Sequence, residues 1–222
     1  VLTPNSERMK LIPELVKEFK IDGIVEVDLQ TCTPYCVESF QIRELAEELG
    51  FRARFLSAAE VPVNAEFVKY CEENRCGNYG ANYACPPDCG TPEEMHQKLL
   101  SADLALVLQS QWDIPGYGTP EVLSVKTKHT NSVRSLMVKL RQLGYDVFGM
   151  GYGGCNLCEP CKRKEGKPCA FPELRMNCLS AYCVDAAKLA DRCNLPFDWN
   201  PKKLHLFGMI LFRQAPESFA DM

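Results

Sequence analysis

The chain has 222 residues, 46% hydrophobic and 24% charged, with a formal net charge of −4. That is enough apolar mass for one sizeable domain, and the acidic balance, with a pI near 5.5, sets nucleic acid aside as the main partner. No apolar run reaches the length of a membrane span and no signal-peptide pattern opens the chain, so the expectation is a single cytoplasmic α/β domain over 1–222 without a membrane partner.

In chain order, a helix is predicted over Glu7–Phe19, then a short strand at Gly23–Asp28 and a loop carrying Cys32 and Cys36. Ile42, Leu45, Ala46 and Leu49 recur at i, i+3, i+4 and i+7, which marks the apolar stripe of a helix that Gly50 ends. Phe51–Leu56 follows as a strand. Cys32 and Cys36 thus stand where a strand meets a helix, a position that stabilises thiolate, although C-x3-C is not the thioredoxin spacing.

The Gly, Asn and Pro content of Cys71–Cys89 predicts a loop. Thr91-Pro92-Glu93-Glu94 then starts a helix, with a capping hydroxyl, proline at the first helical position and glutamate three residues after the cap. Leu104–Leu108 is continuously apolar, as suits a strand covered on both faces. Val133, Leu136, Met137 and Leu140 form a second helix stripe ended by Gly144, and Asp146–Met150 is the next strand, so this half reads as a crossover unit. Gly149–Lys167 is too rich in glycine and cysteine for a regular element, Ala181–Arg192 is a helix, and Leu206–Phe212 is apolar enough for a central strand. The alternation predicts an α/β fold, a mixed sheet with helices and with cysteine-rich loops at 71–91 and 149–185; a ferredoxin-like α+β sandwich is the alternative.

Thirteen cysteines dominate the composition. An odd count without an export signal does not suit a disulfide scaffold, and in a reducing compartment such thiols bind metal or do redox chemistry. The stronger group is Cys155, Cys158 and Cys161, completed by Cys169. C-x2-C-x2-C is the spacing of bacterial ferredoxins, in which the chain curls round a cubane and its amides can hydrogen-bond the cluster sulfurs. Zinc sites instead pair two separated C-x2-C knuckles. The second group is Cys71-x4-Cys76 with Cys85-Pro86-Pro87-Asp88-Cys89, where glycines let the backbone turn close to a ligand. Two [4Fe–4S] clusters are the expectation, with zinc as the alternative at either group. A third cluster would have to draw on Cys32, Cys36, Cys178 or Cys183, and Cys32 and Cys36 are expected to face a cluster edge without forming one. Cys178, Cys183 and Cys193 do not share a helix face and are expected to pack as small hydrophobes.

The stretches CEENRCGNYGANYACPPDCGT and GGCNLCEPCKRKEGKPC resemble, in this order, the two blocks of a prokaryotic family of unknown function described as predicted metal-binding proteins. The resemblance runs from about Phe51 to Asp185, and Cys76, Tyr79, Gly80, Cys85, Pro86, Cys155, Cys158, Cys161 and Cys169 fall on the family pattern. It implies cysteine-bound metal, iron–sulfur in kind and frequent in anaerobes, and no particular reaction. Cys89 is outside the regular pattern. Near Arg175–Asp185 this chain has Asn177, Cys178 and Cys183 where relatives show Arg-Pro-Ser and Gly-Ile-Asp, a departure that admits extra ligands.

His96, His129 and His205 are isolated, and His205, in an apolar strand, reads as a core histidine. Gly149, Gly151, Gly153 and Gly154 are the turn that delivers Cys155. Lys162, Arg163, Lys164 and Lys167 read as a solvated loop, with a docking patch for an acidic redox partner as the alternative. No Walker motif, dinucleotide fingerprint, serine elbow or HExxH occurs. Three functions remain: an electron carrier or redox subunit working with a partner protein, an iron–sulfur enzyme that binds substrate at a cluster beside Tyr79, Trp112, Tyr117 and Tyr152, and a structural zinc or metal-delivery protein.

Overall fold

The computed structural model describes residues 34–114, 120–198 and 203–214. The predicted helix at Glu7–Phe19, the strand at Gly23–Asp28 and Cys32 lie outside the described residues. The described residues form a five-stranded mixed sheet in the order β1-β2-β5-β3-β4. The strands are β1 (Arg52–Ser57), β2 (Leu104–Trp112), β3 (Val147–Gly151), β4 (Asn177–Cys178) and β5 (Leu204–Phe212). The helices are α1 (Pro34–Glu48), α2 (Val68–Glu72), α3 (Pro92–Leu100), α4 (Glu121–Gln142) and α5 (Ala186–Arg192). The α/β reading with a mixed sheet therefore holds.

β2 lies antiparallel to β1 and to β5, and β3 is antiparallel to β5 and parallel to β4. β2 and β3 consequently run the same way with β5 between them, and α4 crosses over that strand. The central place expected for the last strand follows from its burial, since only His205 in β5 is not buried.

Alternating side chains of each strand serve two cores. Leu104, Leu106 and Leu108 of β2, with Ile210 and Phe212 of β5, meet Ile42 and Ala46 of α1 and Val133, Leu136, Met137 and Leu140 of α4. On the other face Ala105, Val107, Phe207, Met209 and Leu211 meet Met95 and Leu99 of α3 and Leu189 of α5. Both faces are covered, so β2 reads as an unbroken apolar run although it pairs antiparallel on both sides. α3 starts as the sequence predicts: Thr91 Oγ1 accepts from the Glu94 amide at 3.2 Å while Glu94 Oε2 accepts from the Thr91 amide at 2.8 Å.

Three boundaries differ from expectation. Cys36 belongs to α1 rather than to a preceding loop, Gly149–Gly151 are the end of β3, and the helix expected from Ala181 begins only at Ala186. The last difference has a local cause: Leu179–Tyr182 form a 3-10 turn that Cys183 closes in the left-handed conformation at φ 55°, and Asp185 caps the true helix through the Lys188 amide.

α4 seats on β5 because Gly208 has no side chain: a Cβ there would lie 2.6 Å from Val133 Cγ2 and 3.1 Å from His129 Nε2. His129, expected as an isolated histidine, is buried in this seat, with Nδ1 at 2.7 Å from Ser110 Oγ and the Phe51 ring edge-on at 5.4 Å. Burial lowers its pKa to about 4, so the folded state holds it neutral. The stability this contributes is complete above the ordinary histidine value near 6.5 and is lost as pH falls towards 4. The difference is about 3 kcal/mol. Urea unfolding of the wild type and of His129→Gln at pH 7 and 4.5 is expected to show a steeper loss in the wild type.

Candidate metal centre

Two cysteine groups come together past the carboxyl ends of β3 and β4. Cys71, Cys76, Cys85 and Cys178 line one cavity of about 720 Å³, with Tyr79, Pro86 and the Gly151–Gly154 turn among its walls. Cys71 is delivered by α2 instead of the predicted loop, and Cys178 is the last residue of β4. The Cys71 and Cys178 thiols hydrogen-bond each other, which raises the pKa of Cys71 and lowers that of Cys178. Behind Cys178 the amides of Ser180 and Ala181 and the Ser180 hydroxyl favour its thiolate. Burial, then the neighbouring Cys178, Cys76, Cys89 and Cys155, pushes the Cys85 thiol up.

Cys89, the fourth member of this group in the sequence, is not part of that lining. It is half-buried against the core, its Sγ 3.9 Å from the Gly90 carbonyl oxygen, and burial first of all pushes it up to about 11. Cys183 and Cys193 are buried packing residues, Cys193 in the apolar cluster and Cys183 with Sγ 3.8 Å from the Ala65 carbonyl oxygen. The side chain of Cys36 lies outside the described atoms.

Cys155, Cys158, Cys161 and Cys169 all line a second, smaller pocket, with Asn82, Tyr83 and Arg175. The seven-residue gap before Cys169 is taken up by a 3-10 turn at Lys162–Glu165, which Gly166 reverses at φ 67° while the Lys167 amide donates to the Lys162 carbonyl at 3.1 Å. Burial raises Cys155, and the Leu157 amide and Arg134 counter it, so an amide two residues on faces the sulfur as in ferredoxin loops. Arg134 is fixed by the Asn131 and Asn156 carboxamide oxygens at 2.7 and 2.9 Å.

The two loops are stapled to each other. Asn82, 4% exposed, donates to the Cys155 carbonyl at 2.8 Å and accepts from the Ala84 amide at 3.0 Å. Tyr83 donates to the Lys167 carbonyl at 2.9 Å, and Asn177 donates to the Ala84 carbonyl at 2.9 Å. A Cβ on Gly154 would stand 2.8 Å from the Asn78 carboxamide, so any larger residue in the turn before Cys155 would push that side chain aside. The basic cluster takes part: Arg163 pairs with Asp88 at 2.7 Å, and Glu165 holds Lys162 at 2.8 Å and Lys167 at 2.9 Å. Three of its four charges thus stand in surface ion pairs. His205, expected in the core, is half-buried on the cavity wall.

Both groups are all-thiol, a donor set open to a soft metal ion or to an iron–sulfur cluster. A single zinc draws four ligands to about 2.0–2.3 Å, and among the described residues no three His, Cys, Asp or Glu side chains converge to hold one ion. A cubane would take each thiolate on a different iron, so the hydrogen-bonded Cys71 and Cys178 thiols would part to receive one, and the second pocket, at about 10 Å³, would open. The sequence offered Cys178 only as an extra ligand and not with Cys71, Cys76 and Cys85, because it lies far from those three thiols in the chain. Its signal was the departure at Asn177-Cys178, with the two free amides of a helical turn just after it.

The chain belongs to the family described as Predicted metal-binding protein (DUF2284), whose model matches residues 54–212 and so takes in both cysteine groups. Residues 1–88 match the model of the 2-hydroxyglutaryl-CoA dehydratase D-component. A segment of 42 residues is 43% identical to "Putative dehydratase subunit YjiM" of Escherichia coli strain K12; it is 19% of this chain and 11% of that protein. No solved structure matches.

Asn82→Ala removes both staples of a buried side chain and is expected to cost about 1–3 kcal/mol of unfolding free energy, against about 1 kcal/mol or less for the exposed Tyr83→Phe. Urea denaturation of the three proteins checks the order.

Proposed function

We propose that this member of the metal-binding family is an iron–sulfur redox protein, with one [4Fe–4S] cluster held by Cys71, Cys76, Cys85 and Cys178 and a second held by Cys155, Cys158, Cys161 and Cys169. The observation that carries this reading is the meeting of two four-cysteine groups on one edge of the sheet, lining a larger and a smaller pocket that Asn82 joins. Such clusters supply one-electron chemistry at potentials set by charge, hydrogen bonds and exposure. The chain's own contribution is to bury Cys85 and Cys178, half-bury all the others but the exposed Cys76, aim the Ser180, Ala181 and Leu157 amides at two of the sulfurs, and hold the loops side by side, so that the charge of Cys155 reaches Cys85. With both clusters bound, the adjoining loops would let an electron pass from one centre to the other and on to a partner protein.

The match of residues 1–88 to a dehydratase component favours a second reading, in which the chain is a subunit of a dehydratase-type enzyme and the larger cavity admits substrate beside the first centre. Among the described residues no helix is long and apolar enough to cross a membrane.

Anaerobic purification tests the assignment. About eight irons and as many acid-labile sulfides are expected per chain. Cys178→Ser and Cys158→Ser are each expected to lose about half of the iron, while Cys89→Ser retains it. Stoichiometric zinc without sulfide would end the cluster reading, and loss of iron in Cys89→Ser but not in Cys178→Ser would restore the contiguous ligand set.

A further inference from the structure

The larger cavity holds more than thiols. Its volume of about 720 Å³ would be shared between a cluster at the cysteines and a small molecule beside it, such sites running from about 300 to 1,000 Å³. Its walls away from the cysteines are aromatic, built from Phe67, Tyr70, Tyr152, Phe197 and Phe207. One half-buried cation, Lys126 of α4, opens into it, with Nζ 5.2 Å from the centroid of the Tyr152 ring. Arg75, on the same wall, is exposed and paired with Glu73, whereas Lys126 has no carboxylate partner among the described residues. A half-buried ammonium with no carboxylate beside it, the Cys76 thiol being the negative group that reaches it, stands next to flat apolar walls and is complementary to an anion with a flat apolar body.

We infer that this cavity binds a small organic acid with an aromatic or similarly flat body, its carboxylate paired with Lys126 and its body between the aromatic walls. The inference rests on the second reading above, that substrate enters beside the first cysteine group. The lowering of the Lys126 pKa by burial agrees with it, because an incoming anion would relieve that cost.

Calorimetric titration of the anaerobic, cluster-loaded protein with benzoate and with benzamide separates charge from shape, with iron and sulfide counted in the same samples. Saturable benzoate binding is expected, weaker by about tenfold or more for benzamide and for Lys126→Met, and kept within a few-fold by Lys126→Arg. Equal affinity for acid and amide, or benzoate binding that Lys126→Met leaves intact, would overturn the inference. So would full iron with no benzoate binding, Lys126 then serving only as a counter-charge to the thiolates. Lys126-dependent benzoate binding to protein that holds zinc and no sulfide would support the acid site while rejecting the clusters.

Discussion

The buried carboxamide of Asn82 holds the two cysteine loops together. Its amide group reaches the Cys155 carbonyl, and its oxygen takes the Ala84 amide just before Cys85. A buried polar side chain is tolerated only when its hydrogen bonds are made, so this one residue fixes where both loops can lie. Asn177 closes the same knot from β4, through the Ala84 carbonyl, and its neighbour Cys178 enters the larger cavity as a result. The loops have little apolar surface to bury, and their order comes from such bonds and from the Arg163–Asp88 pair.

The sheet serves this knot by ending where the loops begin. β3 runs straight into the glycine turn before Cys155, and β4, its parallel neighbour, ends on Cys178. Close seating of α4 through Gly208 brings Lys126 to the cavity. Both cysteine groups thus lie past the carboxyl ends of the one parallel pair among the described strands.

Much of this was legible in the sequence. Thr91 and Glu94 announced α3, the stripe Val133–Leu140 announced α4, and Leu206–Phe212 announced the central strand, because local capping and apolar period act over a few residues. The closure of Cys155, Cys158, Cys161 and Cys169 round one pocket was legible for the same reason, since the spacing itself curls the chain. Strand pairing was not, because an apolar run covered on both faces looks alike whether its neighbours run parallel or antiparallel. Nor was the exchange of Cys89 for Cys178 on the cavity wall, which depends on β4 reaching the loop from about ninety residues away. His129 and His205 changed places for a similar reason: burial depends on what packs over a residue, and Gly208 lets His129 go under.

Two four-cysteine groups in contact make one claim sharper than the rest, that the chain carries two redox centres near enough to sense each other. Electron paramagnetic resonance of the fully reduced anaerobic protein tests it most directly. The account predicts two paramagnetic iron–sulfur centres per chain whose signals broaden or split one another, reduced to one simple signal in Cys158→Ser. A spectrum with a single unperturbed centre, or with none in protein that holds its metal, would contradict it.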